Sequence, residues 1–181
     1  MAISSSNEAP AQNFVILINF VIGALGSSIV LVLRVFDDLK DIDIVLFDIQ
    51  DVGVRFFTYI STMTYAMEAC AQNKKDFILL DRPNPNGFYV DGPVLEKDFT
   101  SFVGLHPVPI VYGMTEGEYA QMLNGEKWLA DSVHCNLTVV RCLNYTHHSL
   151  YKLPVKPSPN LVNMQAVFLY PSICLFEGCA V

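Results

Sequence analysis

Residues 44–81 read IVLFDIQDVGVRFFTYISTMTYAMEACAQNKKDFILLD, and the periodicity of that stretch decides the fold. Ile44–Asp48 is a short apolar run closed by an acid, and Phe77–Asp81 repeats the pattern. Between them Phe56, Tyr59, Ile60, Met63, Ala66, Met67 and Cys70 recur at helical spacing. Strand, amphipathic helix, strand makes a βαβ unit. Continuous apolar strands joined by a crossover helix predict a parallel sheet covered on both faces, with a right-handed connection.

The alternation continues outward. Pro107–Val111 is predicted as a strand and Thr115 as the start of a helix. Thr115 and Glu118 have capping-box spacing, and Asn124-Gly125 supplies the stop. Leu137–Arg141 reads as a further strand, and Met164–Leu169 as a helix that Pro171 must break or restart. The expected class is α/β, a Rossmann-like parallel sheet with helices on both faces, occupying residues 39–181.

Composition bounds the function. A chain of 181 residues, 52% hydrophobic and 16% charged, can bury one substantial core. Its net charge of -7 supplies no positive field for phosphate backbones, which argues against a nucleic-acid partner. The cysteines at 70, 135, 142, 174 and 179 form no C-x-x-C pair, and no H-E-x-x-H occurs. No metal and no cofactor are expected.

Phe14–Leu33 is a separate matter, a run of 20 residues without a charge. That length can span a bilayer, so the run is a candidate anchor or uncleaved signal and would make the protein secreted, periplasmic or membrane-anchored. Against it, the preceding residues carry Glu8 and no Lys or Arg, and Asn19, Gly23, Gly26, Ser27 and Ser28 dilute the apolar character. The competing readings are a buried strand pair broken at Gly26-Ser27-Ser28 and a mis-joined gene start. Residues 1–38 are therefore set apart from 39–181.

In an open parallel sheet, ligands bind beyond the carboxyl ends of the strands. Asp48 and Asp81 each close a strand and belong on that edge. The following loops carry Gln50, Asp51 and Arg55, then Arg82, Asn84 and Asn86 between prolines that fix the backbone. These are candidate contacts for a hydroxyl-rich ligand; the competing reading makes them turn formers and loop staples. The run VLFDIQD also looks like the first motif of haloacid-dehalogenase-type phosphatases. That chemistry wants D-x-D, and Gln50 stands at the second position.

Four ordered motifs carry a family resemblance: DIQDVGVRFFTYIST (48–62), LDRPNPNGFYVDGP (80–93), GMTEGEYA (113–120), and PVKPSPNL with NMQAVFLYPS (154–172). Together they resemble the exo-β-N-acetylmuramidases of bacteria. The resemblance implies a Rossmann-like catalytic domain followed by a smaller domain, with release of N-acetylmuramic acid from the non-reducing end of peptidoglycan fragments. For such a substrate the candidate contacts are Asp51, Arg55, Asp81, Arg82, Asn84 and Asn86 of the strand-end loops, with Asn160, and the carboxylates that remain in this chain for catalysis are Asp48 and Glu177. Glycoside hydrolysis uses two such groups flanking the scissile bond.

The chain departs from the family pattern in several places. Phe57 replaces a usual Tyr, Tyr112 a His, Cys179 a Thr, and Glu116 an apolar residue. The family's upstream P-E-H-G-F-R-G segment, with its glutamate, has no counterpart in residues 1–38. The expectation is a domain truncated at both ends and inactive alone. The alternatives are a non-catalytic muropeptide-binding module and a truncated gene product.

Overall fold

The computed structural model describes residues 14–18 and 39–178. Its centre is a four-stranded parallel sheet in sequential order, β1 (Phe14–Ile18), β2 (Ile44–Asp48), β3 (Asp76–Leu80) and β4 (Asn136–Val140). Val45 lies beside Phe77, and Phe77 beside Leu137, so the strands end nearly level. Asp48 and Asp81 therefore sit on one edge, as expected.

The crossover helices are α1 (Tyr59–Asn73) and α2 (Glu116–Gly125). Both pack on the same face, because connections of one hand between strands that advance in one direction fall on one side. Side chains alternate along a strand, and Val45, Phe47, Phe77 and Leu79 point to that side. There they are buried against Ile60, Met63, Met67, Tyr119, Ala120 and Leu123. The opposite face holds half-buried Leu46, Ile78 and Leu80 and exposed Thr138 and Val140. Among the described residues no helix covers it.

Phe14–Ile18, the start of the uncharged run, pairs parallel with β2 from Phe14 opposite Ile44 to Ile18 opposite Asp48. This is strand geometry. The rest of the run, and with it the candidate bilayer span, lies outside the described residues. Among the described residues no helix is long and apolar enough to cross a membrane.

Two local expectations fail for identifiable reasons. Pro107–Val111 forms no strand; Val111 makes only isolated antiparallel bridges to Val54 and Asp91. Pro107 and Pro109 remove two of the backbone donors that a ladder would use. Pro171 does not break its helix either, since α3 runs Met164–Ile173 straight through it. A helical proline orphans the carbonyl four residues back, here Val167. The buried Asn86 side chain donates to that oxygen at 3.4 Å, which offsets part of the cost.

α3 belongs to a second, smaller core of Val52, Val54, Leu153, Leu161, Val167 and Tyr170. It sits over the loop that leaves β2, so it helps to fix the carboxyl edge of the sheet.

Candidate functional site

Asp48 and Arg82 meet at the strand ends. Arg82 Nε donates to Asp48 Oδ1 at 2.6 Å, and the side chains remain 40% and 22% exposed, respectively. The pair is a charged, partly hydrated feature on an otherwise well-packed edge. The carboxylate holds the guanidinium protonated even more firmly than usual.

Asp81 plays a different part. Its Oδ1 accepts from Arg82 N at 3.0 Å and Gly117 N at 2.9 Å, and its Oδ2 from the Thr115 hydroxyl at 2.8 Å. The end of β3 is thereby tied to the start of α2, where Thr115 and Glu118 form the expected capping box. Burial raises the Asp81 carboxyl above its ordinary value, and the Gly117, Thr115 and Arg82 bonds oppose that rise.

Asn84, Asn86 and Arg55 are engaged with backbone. Asn84 donates to Met114 O at 2.8 Å and accepts from Asn86 N at 2.8 Å. Asn86 donates to Val52 O at 2.8 Å as well as to Val167. Arg55 Nη1 bonds Pro93 O at 3.2 Å and, more closely, Val108 O, while its buried Nε has no hydrogen-bond partner among the described residues. The prolines around Asn84 and Asn86 hold these amides toward neighbouring loops rather than toward solvent.

Beneath Arg82 lies a pair of buried acids. Asp51 is 4% exposed and Glu116 3% exposed. Asp51 Oδ1 accepts from Gly53 N at 2.6 Å and from the Tyr112 hydroxyl at 2.5 Å. Asp51 Oδ2 and Glu116 Oε1 are buried with no partner among the described residues. Both acids line one tight pocket with Gln50, Arg82, Asn84 and Tyr112. Burial pushes the Asp51 carboxyl up to about 6, against the Tyr112 and Gly53 bonds. Burial, then the neighbouring Asp51 and Asp81 charges, push Glu116 well above the carboxylate range.

A wider cleft of about 830 Å³ opens beside the start of α1, lined by Thr58, Tyr59, Asn160, Tyr170, Phe176 and Glu177 among others. Glu177 Oε2 accepts from the Tyr170 hydroxyl at 3.2 Å. Thr58 occupies φ +68°, an uncommon conformation for a β-branched residue. Aromatic walls with a few polar tips suit a sugar ring. A second groove of about 480 Å³, walled by Phe88, Leu150, Met164 and Phe168, is almost wholly apolar and does not.

The structure thus gathers Asp48, Asp51, Asp81, Arg82, Asn84 and Asn86 at the strand ends, and Asn160 with Glu177 in the cleft. Asp48 does not line that cleft. The sequence marks Glu116 as an acid where the family usually has an apolar residue, which argues against a catalytic acid; the structure shows that the position is buried. Sequence reasoning did not find Tyr112 as the partner of Asp51, for lack of any local signal. Among the described residues no group of three or more His, Cys, Asp or Glu is placed to hold a metal ion.

Comparison with known proteins follows the same lines. The family model described as the N-terminal part of exo-beta-N-acetylmuramidase NamZ matches residues 34–165. The peptidoglycan beta-N-acetylmuramidase NamZ of Bacillus subtilis (strain 168) is 48% identical over 145 residues, covering 77% of this chain and 34% of that protein. A DUF1343 family crystal structure from Bacteroides fragilis NCTC 9343 superposes with a TM-score of 0.79 at 55% identity, over 81% of this chain and 41% of that one. A second from the same organism gives 0.75 at 43% identity, over 80% and 38%. The chain therefore spans between about a third and two fifths of the length of these relatives.

Proposed function

This chain belongs to the N-terminal family of the exo-β-N-acetylmuramidases, and from that membership we propose that it recognises terminal N-acetylmuramic acid on peptidoglycan fragments and contributes to cleaving the β-glycosidic bond. The observation that supports this reading is the Asp48–Arg82 pair at the carboxyl edge, charged and accessible among residues otherwise committed to the fold. Arg82 presents a planar fork of donors, suited to the lactyl carboxylate or ring hydroxyls of a muramyl group. Asp48 supplies a negative charge for the cationic centre that develops at the anomeric carbon. Asp51, Arg55, Asp81, Asn84 and Asn86 act behind them by holding the loops in register. Asn160 and Glu177 line the neighbouring cleft beside the start of α1, and Glu177 is the second carboxyl of this reading.

Magnitudes make the reading testable. A partly exposed ion pair contributes at most about 1 kcal/mol to stability. A hydrogen bond to a charged group at a binding site contributes about 1.5–3 kcal/mol. Arg82→Ala should therefore weaken binding of an N-acetylmuramyl disaccharide by roughly 10- to 100-fold, while the unfolding free energy falls by less than about 1 kcal/mol. Calorimetric titration beside urea unfolding measures both. Unchanged affinity, together with a larger loss of stability, would make Arg82 a loop staple and remove the main support for the proposal.

A further inference from the structure

The two buried acids demand an explanation that the proposed reaction does not supply. Asp51 stands in the loop after β2, and Glu116 is the first residue of α2. The space they share is too tight to admit a water molecule, and each presents an oxygen with no partner among the described residues. Arg82 is the one cation among the pocket residues, and its Nε is committed to Asp48.

The other charged or titratable groups acting on this pair come from every surrounding element. Asp48 closes β2, Asp81 follows β3, Tyr59 opens α1, Tyr119 lies in α2, Tyr170 lies in α3, and Tyr112 comes from the loop before α2. Most are acids or neutral phenols. Arg82 attracts the ionised form of Glu116, but burial and the charges of Asp51 and Asp81 outweigh it, so two ionised carboxylates side by side are strongly disfavoured.

We propose that Asp51 and Glu116 hold a single proton between them, and that its release loosens the β2 loop from the start of α2, making the carboxyl edge sensitive to pH. The proton moves between solvent and a carboxyl oxygen, and no other bond changes. The inference is independent of the hydrolase reading, since it concerns how the edge is held.

Both carboxyls bind protons more tightly in the folded chain than in the unfolded one, where the values are 3.8 for Asp51 and 4.5 for Glu116. Their contribution is complete below those values. It is lost as pH rises, by about 6 for Asp51 and at higher pH for Glu116. His106 works in the opposite sense: buried against Tyr119 and Trp128, it is pushed down to about 4 and destabilises the fold as pH falls below 6.5. Above about pH 7 it is neutral in both states, but His147, raised by its bond to Glu118, and the buried thiols also lose stability as pH rises, so the carboxyl pair is isolated by the difference between wild type and Glu116→Gln.

The test uses the full 181-residue chain. Infrared difference spectra should show the C=O band of a protonated carboxylic acid in the wild type at about pH 7, where ordinary carboxyls are ionised. The band should be absent from Glu116→Gln. From about pH 7 up to the pH at which it disappears from the wild type, the folding constant should fall by up to about tenfold per pH unit, and the fall should level off as the band is lost. Protection of the Gly53 amide, which donates to Asp51, should fall with it. Glu116→Gln should be flat over that range, and Asp51→Asn should move loss of the band to lower pH by removing the neighbouring charge. If Glu116→Gln does not fold, the wild-type band, assigned by ¹³C-glutamate labelling, still decides. No protonated band, parallel stability profiles for wild type and Glu116→Gln, or a titration indifferent to Asp51→Asn would each overturn the proposal.

Discussion

Gly53→Ala is expected to lower the unfolding free energy by about 3 kcal/mol, one of the largest effects of any single-methyl change in this chain. Gly53 has φ +76°, and a Cβ there would lie 2.2 Å from Asn84 Oδ1 and 2.4 Å from its Nδ2. The left-handed conformation costs an alanine about 1–2 kcal/mol. Relieving the overlap then moves the Asn84 amide, which joins Met114 O to Asn86 N. Those two bonds contribute about 1 kcal/mol each. Gly125→Ala is the control, because nothing lies within 4 Å of a Cβ at that helical position. It should leave stability unchanged or raise it by up to about 1 kcal/mol. Urea unfolding of both variants checks the pair, and a Gly53→Ala loss below about 0.5 kcal/mol would show that the loop is far softer than its bonds imply.

The second large effect concerns turnover. With residues 34–165 of this chain grafted in place of the matching stretch of the Bacillus relative, release of a chromophore from a β-N-acetylmuramide is expected. Asp48→Asn in that graft should lower kcat by about 10²- to 10⁴-fold, the range for loss of one acid–base or charge-stabilising group. Asparagine keeps the oxygen that accepts from Arg82, so the shape survives while the charge goes. Equal melting temperatures with a large fall in kcat would place Asp48 at the reacting bond. A fall of less than about fivefold would assign the chemistry to other carboxyls and leave Asp48 as the anchor of Arg82.

Much of the fold was legible because burial imposes a period. The apolar faces of β2, α1 and β3 repeat at strand and helix spacing, and the capping box at Thr115 satisfies local donors with local acceptors. What escaped depends on partners far apart in sequence. Pro171 looked like a helix breaker, and nothing within its own helix reveals that Asn86 donates to the carbonyl it orphans. Pro107–Val111 is as apolar as a strand, yet two missing donors leave it outside the sheet.

The candidate site divides in the same way. The strand-end rule correctly put Asp48 and Asp81 on one edge, but only the structure separates the accessible Asp48–Arg82 pair from Asp81, whose carboxyl caps α2. Asn84 and Asn86 have the chemistry of sugar ligands and the hydrogen bonds of staples. Glu116 stood out only as an acid at a usually apolar position, and its pairing with Asp51 was hidden because they meet where the β2 loop and the Tyr112 segment close over α2. An isolated helix would leave Glu116 exposed.

The proposal that the carboxyl edge takes the muramyl group is tested most directly by titrating the ¹⁵N-labelled chain with a disaccharide bearing non-reducing N-acetylmuramic acid. Amide shifts should saturate together at Asp48, Arg82, Thr58 and Asn160, while Ile44, Asp76 and Asn136 at the amino ends of the strands stay still. Saturable shifts confined to those amino ends, or none at a concentration that shifts the Bacillus relative, would contradict it.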